Sequence, residues 1–141
     1  MAKHDKATIG VYFMAVTEYG RAVRLARSIT KDTLLTMSEH TNKSVAFLSA
    51  IETGRTKIPM DFVEEVESYF NQKGYYFDKN LKVLASVDNK SVGIDGLSYQ
   101  QQMLVAGFAN SQYTQEELEK IFELFNAVNQ VKEASLNDRE R

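Results

Sequence analysis

Few residues in this chain could do covalent chemistry, and their spacing gives them little to work with. Cysteine is absent, which removes disulfides, thiolate zinc sites and cysteine nucleophiles. Of the two histidines, His4 lies in a polar start and His40 at the end of a predicted short helix. Neither has a His-Glu-x-x-His spacing, a nucleophile motif or a Walker loop around it. Asp61, Glu64, Glu65 and Glu67 form the densest group of carboxylates, but with no partner histidine and no ligand-loop spacing they read as a solvated helix face. No enzyme, cofactor or metal site is expected. The chemistry the residue types do support is recognition of a polyanion: Lys43, Arg55 and Lys57 flank a stretch whose outward positions, Ser44, Val45, Ala46, Ser49, Ala50 and Thr53, are all small.

That stretch, residues 44–54, reads as one short helix. Ser44 can cap its N-terminus by accepting from a free backbone N–H, Phe47, Leu48 and Ile51 fall at helical spacing toward a core, and Gly54 supplies a left-handed stop. A helix of this size fits the major groove. Upstream, Thr17 is a plausible cap for a helix from Glu18 to about Ser28 that turns Tyr19, Val23 and Ala26 inward. Arg21, Arg24 and Arg27 recur every third residue, drift by about 60° per step and need not share one role. A loop over Ile29 to Asp32 leads to a second helix, from about Thr33 or Leu34 to His40, with Leu34, Met37 and Thr41 on its buried side. Asn42 tolerates the left-handed conformation, so Asn42-Lys43 can turn the chain into the Ser44 cap. The expected unit is helix, three-residue turn, helix.

Residues 18–59, including Tyr19-Gly20-Arg21, Arg24, Arg27, the Leu48-Ser49-x-Ile51-Glu52-x-Gly54-Arg55 core and Ile58-Pro59, resemble the Xre/Cro/CI-type helix-turn-helix domain of phage and bacterial repressors. The resemblance continues more loosely into a C-terminal extension with a helical Phe108-Ala109 segment and an acidic Glu116-Glu117-Leu118 helix. It implies a lambda-repressor-like domain in which Arg27 and Glu52 form a buried or half-buried ion pair. It further implies phosphate contacts from Thr53, Arg55 and Lys57, and base-facing positions at Ser44, Val45, Ala46, Ser49 and Ala50. Two positions depart from the pattern: Leu34 stands where a phosphate-touching Gln often opens the second helix, and Asn42-Lys43 replaces the usual Gly-Val turn. The recognition helix carries no Arg, Lys, Asn or Gln able to bond a base edge twice, so direct readout should be sparse. Lys43, Arg55 and Lys57, with Arg21 or Arg24 as further candidates, should supply the grip, and DNA shape part of the specificity.

Pro59 breaks the chain before a fourth helix over about Asp61 to Gln72, with Phe62, Val63, Val66, Tyr69 and Phe70 as its stripe and Gly74 as its stop. A fifth, about Phe77 to Val87, completes an all-α domain over residues 1–87. Residues 88–97 form a linker or short strand, because Val92 and Ile94 alternate with Ser91, Gly93 and Asp95. Residues 9–16 are too short to classify and could be a strand, a helical arm or an intersubunit contact; either they or a second copy would pair with such a strand. Residues 98–141 read as a helical hairpin. Ser98 caps the first helix, Thr114 to Glu117 is a capping box, and the tail from Lys132 is expected to fray. Two helices bury too little alone, and self-association is favoured over docking on the first domain or on another protein. Its expected dimer contacts are Val92, Ile94, Leu104, Phe108, Leu118, Ile121, Phe122 and Phe125.

The net charge of −2 hides an asymmetry: nine Lys/Arg against five Asp/Glu up to residue 60, and eight against fourteen beyond it. A basic first part suits a polyanion. No long apolar run or signal-peptide pattern occurs, so a cytoplasmic protein without membrane contact is expected. The expected function is a repressor binding a palindromic operator in double-stranded DNA as a homodimer or higher homo-oligomer, relieved by a partner such as an antirepressor or metallopeptidase. An antitoxin paired with a toxin, or an interaction adaptor that has lost DNA binding, are the alternatives.

Overall fold

Most helices here begin where a side chain closes the first turn. In the computed structural model, which describes residues 16–139, Thr17 accepts from Gly20 N at the start of α1 (Glu18–Thr30), and Thr33 caps α2 (Leu34–Thr41) in a reciprocal pair with Thr36. Ser44 caps α3 (Val45–Glu52), accepting from Phe47 N. Asn42 occupies the left-handed region, at φ 60°, between α2 and α3. After Pro59 the chain forms α4 (Met60–Asn71), and Asn80 caps α5 (Leu81–Asn89) by accepting from Lys82 and Val83.

These five helices enclose one core. Tyr19, Val23 and Ala26 of α1 meet Met37 of α2, Leu48 and Ile51 of α3, Phe62, Val63, Val66 and Phe70 of α4, and Leu81 and Ala85 of α5. The segment before α5 is not helical where the fifth helix is expected to start. Phe77 instead turns its ring edge-on to Phe70 and Tyr75, at 5.7 and 5.1 Å between centroids, and this aromatic packing replaces the missing helical turn.

Of the two readings of residues 88–97, linker or short strand, the strand does not form: the regular elements of the described residues are all helices. α5 runs past Val87 to Asn89, Lys90 ends it in the left-handed region, and a turn closed by Leu97 N on Ile94 O follows. Period-two alternation has no force without a partner strand, and none is present among the described residues. Residues 9–15 lie outside the described residues.

The chain divides into two compact units, one ending at Gly93 and the other starting at Ile94. The second contains α6 (Tyr99–Ala109), capped by Ser98, and α7 (Gln115–Arg139), opened by the reciprocal Thr114–Glu117 box. α7 stays helical through Lys132 to Arg139, where fraying is expected from sequence. No residue of either helix is fully buried within the unit. No helix among the described residues is long and apolar enough to cross a membrane.

Candidate nucleic-acid interface

The position of α3 is set mainly from its C-terminal end. The last carbonyls of a helix have no partner within it. Glu52 O accepts two bonds from Thr17, one from the backbone N at 3.0 Å and one from Oγ1 at 3.1 Å. Gly20 makes this approach feasible: a Cβ there would lie 2.1 Å from Glu52 O. A glycine inside a helix costs about 1 kcal/mol relative to alanine, so Gly20 within an otherwise strong helical pattern is the one sequence signal of this contact.

Beside it, the Glu52 carboxylate faces inward. Arg27 Nη1 and Nη2 donate to Glu52 Oε2 and Oε1 at 2.6 and 2.7 Å, and both residues are buried. Arg24 Nε stands 3.5 Å from Oε1 on the more exposed side. Two parallel N–H···O bonds fix orientation as well as distance. This pair ties α1 to α3 through the core, and neither member is available to DNA. Burial pushes the neighbouring Tyr19 phenol above its ordinary range, with Glu52 adding to the rise and Arg27 opposing it.

Two residues of the expected linker complete the frame. Asp88 Oδ2 accepts from Tyr19 N at 2.8 Å, supplying an acceptor and a negative charge at the start of α1. Asn89 clamps Ile58 at both backbone groups: its Oδ1 accepts from Ile58 N and its Nδ2 donates to Ile58 O, each at 2.8 Å. α5 therefore holds the loop that leaves α3. A second anchor lies at the α1–α2 corner. Burial opposes the charge on Asp32, but bonds from Lys73, Thr30, Tyr69 and Thr36 outweigh it and hold the carboxyl at about 2. Asp88 and Asn89 do not stand out in the sequence, because each acts across 31 or more residues, and Asp32 joins distant Tyr69 and Lys73 to its neighbours Thr30 and Thr36.

Against this frame, the outer face of α3 is small and accessible. Val45 and Ala46 are exposed, and Ser49, Ala50 and Thr53 are half-buried. Ser44 is exposed, and its Oγ already accepts the cap bond from Phe47 N, leaving its hydroxyl proton and one lone pair for a ligand. Lys43, Arg55 and Lys57 are exposed around the helix. Lys43 Nζ lies 5.7 and 5.9 Å from the ring centres of Phe47 and Phe62, on the flank of α3. Arg55 folds back instead, with Nε donating to Thr53 Oγ1 at 3.1 Å and Nη2 to Ser49 Oγ at 3.4 Å. The structure thus brings all nine candidate DNA-contacting residues to one short helix and its two ends.

Among the described residues no group of three or more His, Asp or Glu is placed to hold a metal. Glu64 pairs with Lys82, and His40 packs edge-on to Tyr69 at 5.5 Å. The eight candidate dimer contacts lie in or near the second unit and include large exposed side chains: Leu104 is 69% exposed, Phe122 64% and Phe125 62%. No protein-family profile, curated protein or solved structure matches this chain.

Proposed function

We propose that this protein is a cytoplasmic DNA-binding transcriptional repressor of the Xre/Cro/CI helix-turn-helix kind, acting as a dimer on a palindromic operator. The observation that carries this reading is the contrast between the two faces of α3. Its inner face is locked by the Arg27–Glu52 pair and the Thr17–Glu52 bonds, while its outer face holds only small side chains between exposed cations. A rigid helix with a low outer profile can enter a major groove about 12 Å wide and meet base edges, while Lys43 and Lys57 neutralise phosphates.

The second unit supports the dimer. Met103 to Ala109 is an unbroken apolar run, so α6 has apolar residues on every side, and a helix of that kind belongs in an interior. On α7, Leu118, Ile121, Phe122, Leu124, Phe125, Val128 and Val131 spread over roughly half the circumference at 100° per residue. All seven are exposed, which is far more apolar surface than a lone hairpin keeps in water. A second copy of the hairpin covers both helices and brings two recognition helices onto one duplex, where half-sites lie about one helical turn apart.

Fluorescence anisotropy against the DNA upstream of the coding sequence, repeated across salt concentrations, tests the reading. Lys43→Ala plus Lys57→Ala should flatten the slope of log affinity against log salt by about two units per protomer. Binding that is absent, or indifferent to salt and to both substitutions, would remove the groove-docking reading. Light scattering of Phe122→Glu plus Phe125→Glu should show monomers where the parent chain shows dimers. A parent chain that is itself monomeric would remove the role given to the hairpin.

A further inference from the structure

We propose that Arg55 is a base-reading side chain that selects a guanine in each half-site, with Ser49 and Thr53 as its positioning residues; this rests on the DNA-binding reading above. The helix itself offers no side chain able to make two bonds to one base. Arg55 lies beyond the end of α3, yet the backbone turns it back over the helix. Gly54 sits at φ 76° and Arg55 N donates to Ala50 O at 3.0 Å, the six-to-one bond of a left-handed helix stop. The guanidinium then reaches Thr53 Oγ1 and Ser49 Oγ. These positions share the outward arc of α3 with Ala46 and Ala50, at 100° per residue, and that arc is the face a groove would meet.

The Thr53 acceptor is itself fixed. Its hydroxyl donates to Ser49 O at 2.8 Å, which turns its lone pairs toward the arginine. Both bonds from Arg55 use the Nε and Nη2 edge of the planar group. Nη1 takes part in neither bond, and the exposed guanidinium keeps the terminal Nη1/Nη2 edge as the pair of donors proposed to meet the base. Two parallel donors match the O6 and N7 acceptors of guanine. Adenine presents an amino donor where guanine presents O6, and the pyrimidines offer at most one major-groove acceptor. The small side chains at 46, 49 and 50 matter here because bulkier ones would hold the guanidinium off the base edges. Lys43 differs in kind: it is a point charge on the flank of the helix, suited to phosphate and indifferent to sequence.

The test selects full-length protein on a randomised double-stranded DNA pool, comparing the parent with Arg55→Ala, Arg55→Lys and Thr53→Val. Anisotropy then uses the parent's enriched duplex and copies in which each guanine is replaced by 7-deazaguanine, which lacks N7. Arg55 is exposed, so its substitutions should leave the circular dichroism spectrum unchanged. For the parent, one 7-deazaguanine position per half-site should weaken binding by roughly five-fold to ten-fold, the scale of one bond lost from a bidentate contact whose O6 partner remains. With Arg55→Ala that penalty should shrink to about two-fold or less, and the guanine should vanish from the selected motif. Arg55→Lys should keep the salt slope and still lose the preference, and Thr53→Val should weaken the preference with the salt slope intact. A parent motif whose guanine preference survives Arg55→Ala, with only overall affinity falling, would overturn the inference and leave DNA binding standing. A parent that enriches no motif would overturn sequence-specific DNA binding and this inference with it.

Discussion

Replacing Gly20 with alanine probes the contact that positions α3. The added Cβ would stand 2.1 Å from Glu52 O, against the 3.4 Å at which ordinary contact begins, and 2.9 Å from Glu52 C. Both obstructing atoms are backbone, so no side-chain rotation can relieve the overlap. α1 must instead withdraw from α3 by more than 1 Å, which is enough to break both Thr17 bonds to Glu52 O. Each is worth about 1 kcal/mol net, and forcing extra volume into a packed contact costs roughly 1 to 3 kcal/mol more. Against this, alanine gains about 1 kcal/mol of helix propensity over glycine. The balance is a loss of roughly 2 to 4 kcal/mol. Guanidinium titration followed by far-UV circular dichroism, at fixed protein concentration, measures it. A Gly20→Ala protein within about 0.5 kcal/mol of the parent, or more stable by the propensity gain alone, would show that α1 and α3 do not approach as described.

Glu52→Gln should cost about 3 to 5 kcal/mol in the same titration by stranding the buried Arg27 charge, whereas Arg27→Met combined with Glu52→Leu should recover much of the loss. Asp32 carries a pH signature. Its folded value of about 2 lies below the ordinary 3.8, so the unfolded chain binds the extra proton between them and stability rises with pH across that window. Its contribution of about 2 kcal/mol is present above pH 4 and lost as pH falls toward 2. The stability difference between the parent and Asp32→Asn should therefore be large at pH 6 and nearly vanish at pH 2. Asn89→Ala leaves both backbone groups of Ile58 without their partner and should cost roughly 1 to 3 kcal/mol. It should also weaken DNA binding although residue 89 carries no charge, and anisotropy with unchanged affinity would separate the Ile58 clamp from the function of α3.

What could be read from the sequence follows how local each cause is. Thr17, Ser44, Ser98 and Thr114 announce their helices because a cap acts over three residues, and the apolar stripes then set which faces turn inward. Phe77 illustrates the limit: the fifth helix is expected to start there, but its ring is committed to Phe70, and only the cap at Asn80 begins α5. Residues 88–97 mislead for a related reason. Asp88 and Asn89 resemble turn residues by type, and their side chains are engaged with Tyr19 and Ile58, distant partners that no local pattern names. At the candidate site, residue types identify the small face of α3 and its flanking cations. They cannot reveal that Arg55 folds over the helix instead of extending toward a phosphate.

On the proposed reading of α3, the same distinction bears on how a DNA preference would change. The core-facing half of α3 is held by Arg27, Thr17 and, through the following loop, Asn89, so substitutions there alter stability before they alter recognition. The side-chain bonds of the outer half run among Ser49, Thr53 and Arg55 and do not tie α3 to another helix. Ala46 and Ala50 can be replaced at little cost to the fold, and any larger polar side chain there would compete with the Arg55 guanidinium for the same arc. The proposed specificity could therefore move between a residue after the helix and residues on it, without the frame that presents them having to change.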